Sequence, residues 1–115
     1  GCRTAAVTSP EHHDEMIAYT SQLPHVLAGA YVKSPAAKGH SGYSAGSFRD
    51  VSRVATVDER LWSGLFLQNG DNLCRELDGL IDRLTAYKTA IASGNEAALR
   101  ALIREGREIK SALPR

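Results

Sequence analysis

A charged stretch near the middle of the chain carries residue types that could bind an anionic ligand. Arg49, Asp50 and Arg53 lie within residues 46–55, where apolar residues recur at helical spacing. Asp50 and Arg53 are three positions apart, so they can form an ion pair on one helix face. A guanidinium steadied by a carboxylate can receive a second carboxylate through two parallel hydrogen bonds. On local pattern alone, an exposed ion pair of little energetic value is the commoner interpretation.

A second group of polar residues surrounds Pro24. Ser21 and His25 are four positions apart, and Gln22 and His25 are three apart, so all three share one side of a helix. Pro24 removes one backbone hydrogen bond, which predicts a kink and a carbonyl at Thr20 without its usual partner. A kink beside such side chains can form a ligand site, although an isolated histidine more often packs in a core.

Helix signals predict the elements that hold these residues. Ser9 followed by Pro10 is typical of a helix N-terminus. Thr56 with Glu59 three positions later predicts a capping box at the start of a helix that carries Trp62. Residues 34–47 are rich in glycine, serine, alanine and proline, which predicts a long loop before the charged stretch. Trp62 is the only tryptophan, and core packing is its ordinary role.

Two long helices are predicted for the last part of the chain, after a break at Asn69-Gly70. The first carries an apolar seam over about five turns, formed by Leu73, Leu77, Leu80, Leu84, Tyr87 and Ile91. Gly94 stops it and Asn95 caps the next helix. Gly106 inside the last helix costs about 1 kcal/mol relative to alanine unless it permits close packing. The predicted fold is all-α, a bundle of about five helices with a kinked first helix. The apolar seam of the long helix is expected to pack on an antiparallel neighbour or on a second copy of the chain.

Composition excludes several classes of protein. The chain has 115 residues, 43% of them hydrophobic and 23% charged, with a net charge of +1. These values predict one globular domain and give no argument for a nucleic-acid or membrane partner. With only Cys2 and Cys74, no disulfide framework is expected, and a cytoplasmic location is the default. We find no glycine-rich phosphate loop, no nucleophile elbow and no zinc spacing among the histidines, so no metal site is expected.

Taken in order, these motifs resemble the C-terminal helical domain of the prephenate dehydrogenase family. The family's usual forms are HD, SHLPH, GFRDxTRIA, a tryptophan and an asparagine. Their counterparts are His13-Asp14, Ser21-Gln22-Leu23-Pro24-His25, residues 46–55, Trp62 and Asn69. The order and spacing match over nearly the whole chain. Gln22 departs from the pattern, because histidine is frequent there, and Ser52 stands where threonine is common.

The resemblance implies a domain organisation and an activity. Residues 1–9 resemble the end of an N-terminal dinucleotide-binding domain, and residues 10–115 resemble the helical dimerisation and substrate-binding domain. Members of the family convert prephenate to 4-hydroxyphenylpyruvate by NAD-dependent oxidative decarboxylation in tyrosine biosynthesis. The catalytic histidine and the NAD site belong to the N-terminal domain in this family. We therefore expect no catalytic or cofactor-binding residue in this chain, no activity from it alone, and a homodimer built on the helices from residue 71 onward.

The resemblance also implies a substrate pocket. Arg53 would hold a prephenate carboxylate, Asp50 would orient Arg53, and Arg49 would be solvated. His25 would line the pocket and contact tyrosine where tyrosine is a feedback inhibitor, Trp62 would form the wall, and Ser21 and Gln22 would complete the kinked side.

Three alternatives remain open. The chain could be half of an arogenate dehydrogenase or of another dehydrogenase of the same architecture. It could also be a non-catalytic helical module that binds tyrosine or a related aromatic acid. The choice between NAD and NADP is likewise open.

Overall fold

The computed structural model describes residues 9–43 and 46–114, and the regular elements in these ranges are all helical. The α-helices are α1 (Pro10–Ile17), α2 (Leu23–Tyr31), α3 (Gly46–Ser52), α4 (Glu59–Gln68), α5 (Gly70–Ala92) and α6 (Glu96–Ala112). A π-helical turn, Ala18–Gln22, joins α1 to α2, and 3₁₀ turns occupy Pro35–Gly39 and Arg53–Ala55. With α1 and α2 counted as one irregular helix, the predicted all-α fold of about five helices is confirmed. Residues 1–8, and with them most of the predicted remnant of an N-terminal domain, lie outside the described ranges.

The first helix begins where its sequence predicts, and a π-helical turn interrupts it near Pro24. The Ser9 hydroxyl accepts a hydrogen bond of 3.0 Å from the His12 backbone amide, and Pro10 occupies the first turn. A π-helical turn interrupts the helix just before Pro24, at the position of the predicted kink. There the Leu23 amide donates to the carbonyl of Ala18, five residues back. Pi-helical turns of this kind interrupt α-helices frequently at functional sites.

The start of α4 differs from the prediction. The N-cap is Asp58, whose carboxylate accepts a 2.9 Å hydrogen bond from the Arg60 amide, and the helix begins at Glu59. Thr56 has extended backbone angles. Aspartate is among the strongest N-caps and stands closer to the first helical turn, so it takes the capping position. The predicted capping box from Thr56 to Glu59 is therefore wrong.

The predicted loop between the first helix and the charged stretch contains regular structure. The 3₁₀ turn Pro35–Gly39 begins after Ser34, whose hydroxyl accepts a 3.2 Å hydrogen bond from the Ala36 amide. The charged stretch then begins as α3 at Gly46. Residues 44 and 45 lie outside the described ranges.

The chain forms two compact units, one up to Leu77 and one from Asp78 onward, and α5 contributes to both. Buried apolar residues of the first unit are Ala18, Leu23, Ala28 and Leu73, and Ala90 is buried in the second. No large side chain among the described residues is fully buried. The predicted seam on α5 is largely uncovered at its far end, where Leu84 is 52% and Ile91 is 63% exposed.

The second unit contains a tight connection between α5 and α6. Gly94 adopts a φ of +65°, a conformation that favours glycine, and the Asn95 side chain accepts a 3.0 Å hydrogen bond from the Ala98 amide. The helix stop predicted at Gly94 and the N-cap predicted at Asn95 are thus confirmed. A Cβ at Gly106 would lie 3.7 Å from the Tyr87 hydroxyl, an ordinary contact, so packing does not require glycine there. No helix in the described ranges is both long and apolar enough to cross a bilayer.

Candidate functional site

The imidazole of His25 stacks on the indole of Trp62. Their ring centroids are 4.0 Å apart with an interplanar angle of 25°, and the edge of Phe66 packs against Trp62 at 5.7 Å. Both His25 and Trp62 are half-buried. The structure therefore brings together two predicted site residues, one from α2 and one from α4, that are far apart in the sequence.

The orientation of His25 is set by the π-helical turn. Its Nδ1 lies 2.6 Å from the backbone carbonyl oxygen of Ser21. A carbonyl can only accept a hydrogen bond, so Nδ1 carries the proton, and Nε2 of the neutral ring is an acceptor. Ser21 thus contributes its backbone to the site, and the predicted contact of its side chain with a ligand stays a prediction.

Arg53 lies at the end of the charged stretch, after the α-helix has ended. The Ser52 hydroxyl donates a 2.7 Å hydrogen bond to the Phe48 carbonyl in the last turn of α3. Arg53 then opens a 3₁₀ turn that packs against α2, the helix that carries His25. This packing places the turn with Arg53 and the stack with Trp62 on the same helix, α2.

The predicted ion pair between Asp50 and Arg53 is not formed. Both side chains are exposed, and neither makes an ion pair among the described residues, where all salt bridges involve other side chains. An exposed pair gains about 0–1 kcal/mol and must order two flexible side chains, so spacing alone does not hold it together. The guanidinium of Arg53 is consequently uncommitted in the described part of the chain, and so is that of Arg49.

Gln22 is buried, with 5% of its surface exposed, and both ends of its amide are engaged. Its Nε2 donates to the carbonyl oxygen of Leu65 at 3.2 Å, and its Oε1 accepts from Asn69 Nδ2 at 2.9 Å. Asn69 Nδ2 also donates to the carbonyl oxygen of Asp14 at 2.9 Å. The predicted contact of Gln22 with substrate stays a prediction, and the observed contacts are all with the protein itself.

The polar network continues along α5. Asn72 Nδ2 donates to Asn69 Oδ1, and Arg75 donates to Asn72 Oδ1, both at 2.9 Å. In the sequence, Asn69 is recognisable only as part of a break between helices and as a match to the family's pattern. The adjacent glycine signals a helix junction, but nothing local shows that the Asn69 side chain reaches back to α1 and the π-helical turn.

A second aromatic cluster fixes α3. The ring of Phe48 stacks on His40 at a centroid distance of 4.6 Å and tilts against Tyr31 at 6.0 Å. His40 and Tyr31 were absent from the predicted site. They hold α3 beside α2, and so they support the turn that carries Arg53.

Metal binding has no support in the geometry of the described residues, which place no three His, Cys, Asp or Glu side chains around a common point. His13 and Asp14, a pair that carries part of the resemblance, are exposed, with Nδ1 and Oδ1 3.8 Å apart.

Comparisons with known proteins agree with this architecture. The chain is 38% identical to a cyclohexadienyl dehydrogenase of Zymomonas mobilis over 91% of its length, and it covers 38% of that relative. The crystal structure of prephenate dehydrogenase from A. aeolicus in complex with hydroxyphenyl propionate and NAD⁺ superposes with a TM-score of 0.77 at 28% identity, covering 90% of this chain and 38% of that one.

The crystal structure of Synechocystis arogenate dehydrogenase has the same fold, with a TM-score of 0.78 at 22% identity over 90% of this chain and 40% of that one. The chain thus spans about two-fifths of the length of these proteins. The family model described as "Prephenate dehydrogenase, dimerization domain" matches residues 9–105. This chain belongs to the prephenate dehydrogenase dimerization-domain family.

Proposed function

We propose that the chain is the dimer-forming and substrate-contacting part of an NAD-dependent prephenate dehydrogenase that acts in tyrosine biosynthesis. The observation that carries the proposal is the stack of His25 on Trp62, with the uncommitted cation of Arg53 on a turn packed against the same helix. Relatives of the chain are named prephenate and cyclohexadienyl dehydrogenases. A guanidinium without an internal partner can hold a carboxylate, and aromatic faces can pack on a carbocyclic ring, so the two together suit a substrate that combines these groups.

Arg53 is the proposed carboxylate receptor. Prephenate is a dianion, and a guanidinium can hold one of its carboxylates through two parallel hydrogen bonds. Because Arg53 has no internal partner among the described residues, no existing ion pair must be broken when the substrate arrives. Asp50 is one residue beyond the first turn of α3, and we assign it the smaller role of tuning the local charge.

His25 and Trp62 form the proposed wall of the pocket. Nδ1 of His25 is occupied by the Ser21 carbonyl, so Nε2 is the atom left for a polar group of the substrate or for tyrosine as an inhibitor. Trp62 backs the imidazole and fixes the plane of its ring. The keto group of prephenate and the amino group of arogenate would be distinguished elsewhere, so arogenate remains the alternative substrate.

NAD is proposed as the oxidant of the whole protein, not as a ligand of these helices. The described residues form helices without a strand, and they carry no glycine-rich turn of the kind that holds a dinucleotide. In the proposed reaction the ring carbon that bears the hydroxyl loses hydride to NAD⁺ and the ring carboxylate leaves as carbon dioxide, while the ring becomes aromatic. We assign the chain's residues to binding, not to hydride transfer.

The test is an assay of the full-length gene product with prephenate and NAD⁺. We expect NADH to form together with 4-hydroxyphenylpyruvate and carbon dioxide, and the isolated 115-residue chain to be inactive. A parallel assay with arogenate decides between the two substrates. If neither substrate is turned over and calorimetry shows that the isolated chain binds tyrosine, the chain is a non-catalytic binding module and the proposal fails.

A homodimer is the proposed assembly, built on the second unit. Apolar side chains there are more than half exposed, among them Ile91, Ile103 and Ile109. A cavity of about 570 Å³ between the end of α5 and the start of α6 is lined by small residues such as Ala90 and Ala98. A stable interface buries about 1,600 Å² in total, and these surfaces are where a second copy could supply it.

Sedimentation tests the assembly. The chain should sediment as a dimer, and Ile103→Asp should shift it towards the monomer because the new carboxylate would lose its water in the interface. Lys88→Asp is a control on an exposed polar position of α5. A strict monomer of the unaltered protein would contradict the proposed dimer.

A further inference from the structure

The contacts of Gln22 suggest a role that sequence alone does not assign. Gln22 lies three residues before His25 on the chain, and its partner Leu65 lies three residues after Trp62. The Gln22 amide therefore bridges the π-helical turn and α4 one helical turn away from the stack of His25 on Trp62. Its remaining contact, with Asn69, ties the same point to the junction between α4 and α5.

The orientation of each amide is fixed by a backbone carbonyl. The carbonyl of Leu65 can only accept, so it must face Nε2 of Gln22, which leaves Oε1 towards Asn69. The carbonyl of Asp14 can likewise only accept, so it must face Nδ2 of Asn69. The two requirements agree, because Asn69 Nδ2 then donates to Gln22 Oε1. Reversing either amide would bring two acceptors or two donors together.

The bridge also satisfies the end of a helix. The last carbonyls of an α-helix lack partners within the helix, and Leu65 stands in the last turn of α4. The Asn69 amide donates to Phe66 at 3.3 Å instead of to Leu65, and Gln22 supplies the donor that Leu65 needs. Gln22 thus acts as a C-terminal cap on α4 that comes from another helix.

We propose that Gln22 and Asn69 are positioning residues, which set the distance and angle between His25 and Trp62 by fastening the π-helical turn to the end of α4. The expected effect of these residues on catalysis rests on the proposed function, but their expected effect on the stack of His25 on Trp62 does not.

The fluorescence of Trp62 tests the proposal without any substrate. The imidazole of His25 lies against the indole of Trp62 and quenches its emission, so at one fixed pH the unaltered protein should emit less than His25→Phe does. His25→Phe defines the signal that does not depend on His25. In a longer gene product with further tryptophans, the emission of Trp62→Phe is subtracted.

Gln22→Leu is the decisive variant, because leucine has a similar volume and cannot form either hydrogen bond. We expect it to lose most of the His25-dependent quenching, and Gln68→Leu, at an exposed glutamine of α4, to keep it. Unchanged quenching in Gln22→Leu would overturn the proposal. If circular dichroism shows that Gln22→Leu does not fold, Asn69→Ala, which leaves the bond to Leu65 in place, decides the matter: reduced quenching supports the proposal and unchanged quenching refutes it.

Kinetics of the full-length gene product separate positioning from direct contact with substrate. A small displacement of a binding group can change rates by as much as about a hundredfold, so we expect Gln22→Leu and Asn69→Ala to raise KM roughly tenfold while they also reduce quenching. A raised KM in Gln22→Leu with normal quenching would mean that Gln22 touches the substrate and would refute the positioning role. If the unaltered protein turns over neither substrate, the proposed function fails, and the fluorescence still decides whether Gln22 positions the stack.

Discussion

Replacing Arg53 by alanine removes the cation to which we assign the substrate carboxylate. Among the described residues Arg53 makes no ion pair, and it lies exposed in the 3₁₀ turn after α3. The variant should therefore fold normally, because no internal partner is left unsatisfied. Its effect should fall on binding alone, which makes this position a clean test of the proposed site.

The expected magnitude follows from the type of contact. A hydrogen bond to a charged group contributes about 1.5–3 kcal/mol, and each 1.4 kcal/mol corresponds to about a tenfold change in affinity. Arg53→Ala should thus raise KM for prephenate by roughly 10- to 100-fold. Arg53→Lys keeps the charge but not the planar pair of donors, so its KM should lie between those of the unaltered protein and the alanine variant.

Steady-state assays of the full-length gene product with saturating NAD⁺ measure these constants. Arg49→Ala is the matched control, since Arg49 is an exposed arginine four residues earlier and is uncommitted in the same way. Its KM should stay within about twofold, because we assign no substrate contact to Arg49 and exposed charges that form no direct pair interact weakly in water. A normal KM in Arg53→Ala, or an equal rise in Arg49→Ala, would refute the assignment of Arg53.

Three further predictions concern local structure and are measured by urea or thermal unfolding. Asp58→Ala should lower the free energy of unfolding by about 1 kcal/mol through loss of the α4 cap, whereas Thr56→Ala should change it by less than about 0.5 kcal/mol. A larger loss in Thr56→Ala than in Asp58→Ala would mean that Thr56 caps α4, as the capping box predicts. Gly94→Ala should cost roughly 1–2 kcal/mol because alanine is strained at a φ of +65°, and no loss would show that the connection rearranges. Ser9→Ala should cost about 1 kcal/mol, and an unchanged midpoint would mean that the first turn of α1 frays in solution.

The all-α fold could be predicted because most of its hydrogen bonds are local. The Ser9 cap, the stop at Gly94 and the break at Asn69 each depend on residues within one helical turn, and the sequence displays those residues directly. The irregular turn before Pro24 could be predicted equally well, since proline lacks the backbone donor. The N-cap of α4 was predicted wrongly from the same kind of local signal. Thr56 and Asp58 both suit an N-cap, and only the observed backbone distinguishes them.

Some features of the candidate site could likewise be predicted from the sequence, and others could not. Residue types and order along the chain were enough to indicate the family and to single out His25, Arg53 and Trp62. Spacing was not enough to pair Asp50 with Arg53, because an exposed ion pair is too weak to be enforced by its position on a helix.

Tertiary structure alone decided which partners the buried polar side chains have. The sequence predicts contact of Gln22 with substrate but shows nothing of its partners Leu65 and Asn69, which are 43 and 47 residues away. Partners at such distances meet only when the helices pack, and burial then obliges the amide to satisfy both its donor and its acceptor. The same packing brings Trp62 onto His25. Local signals therefore predict the helices, whereas contacts between side chains that are distant in the sequence form only where the helices pack.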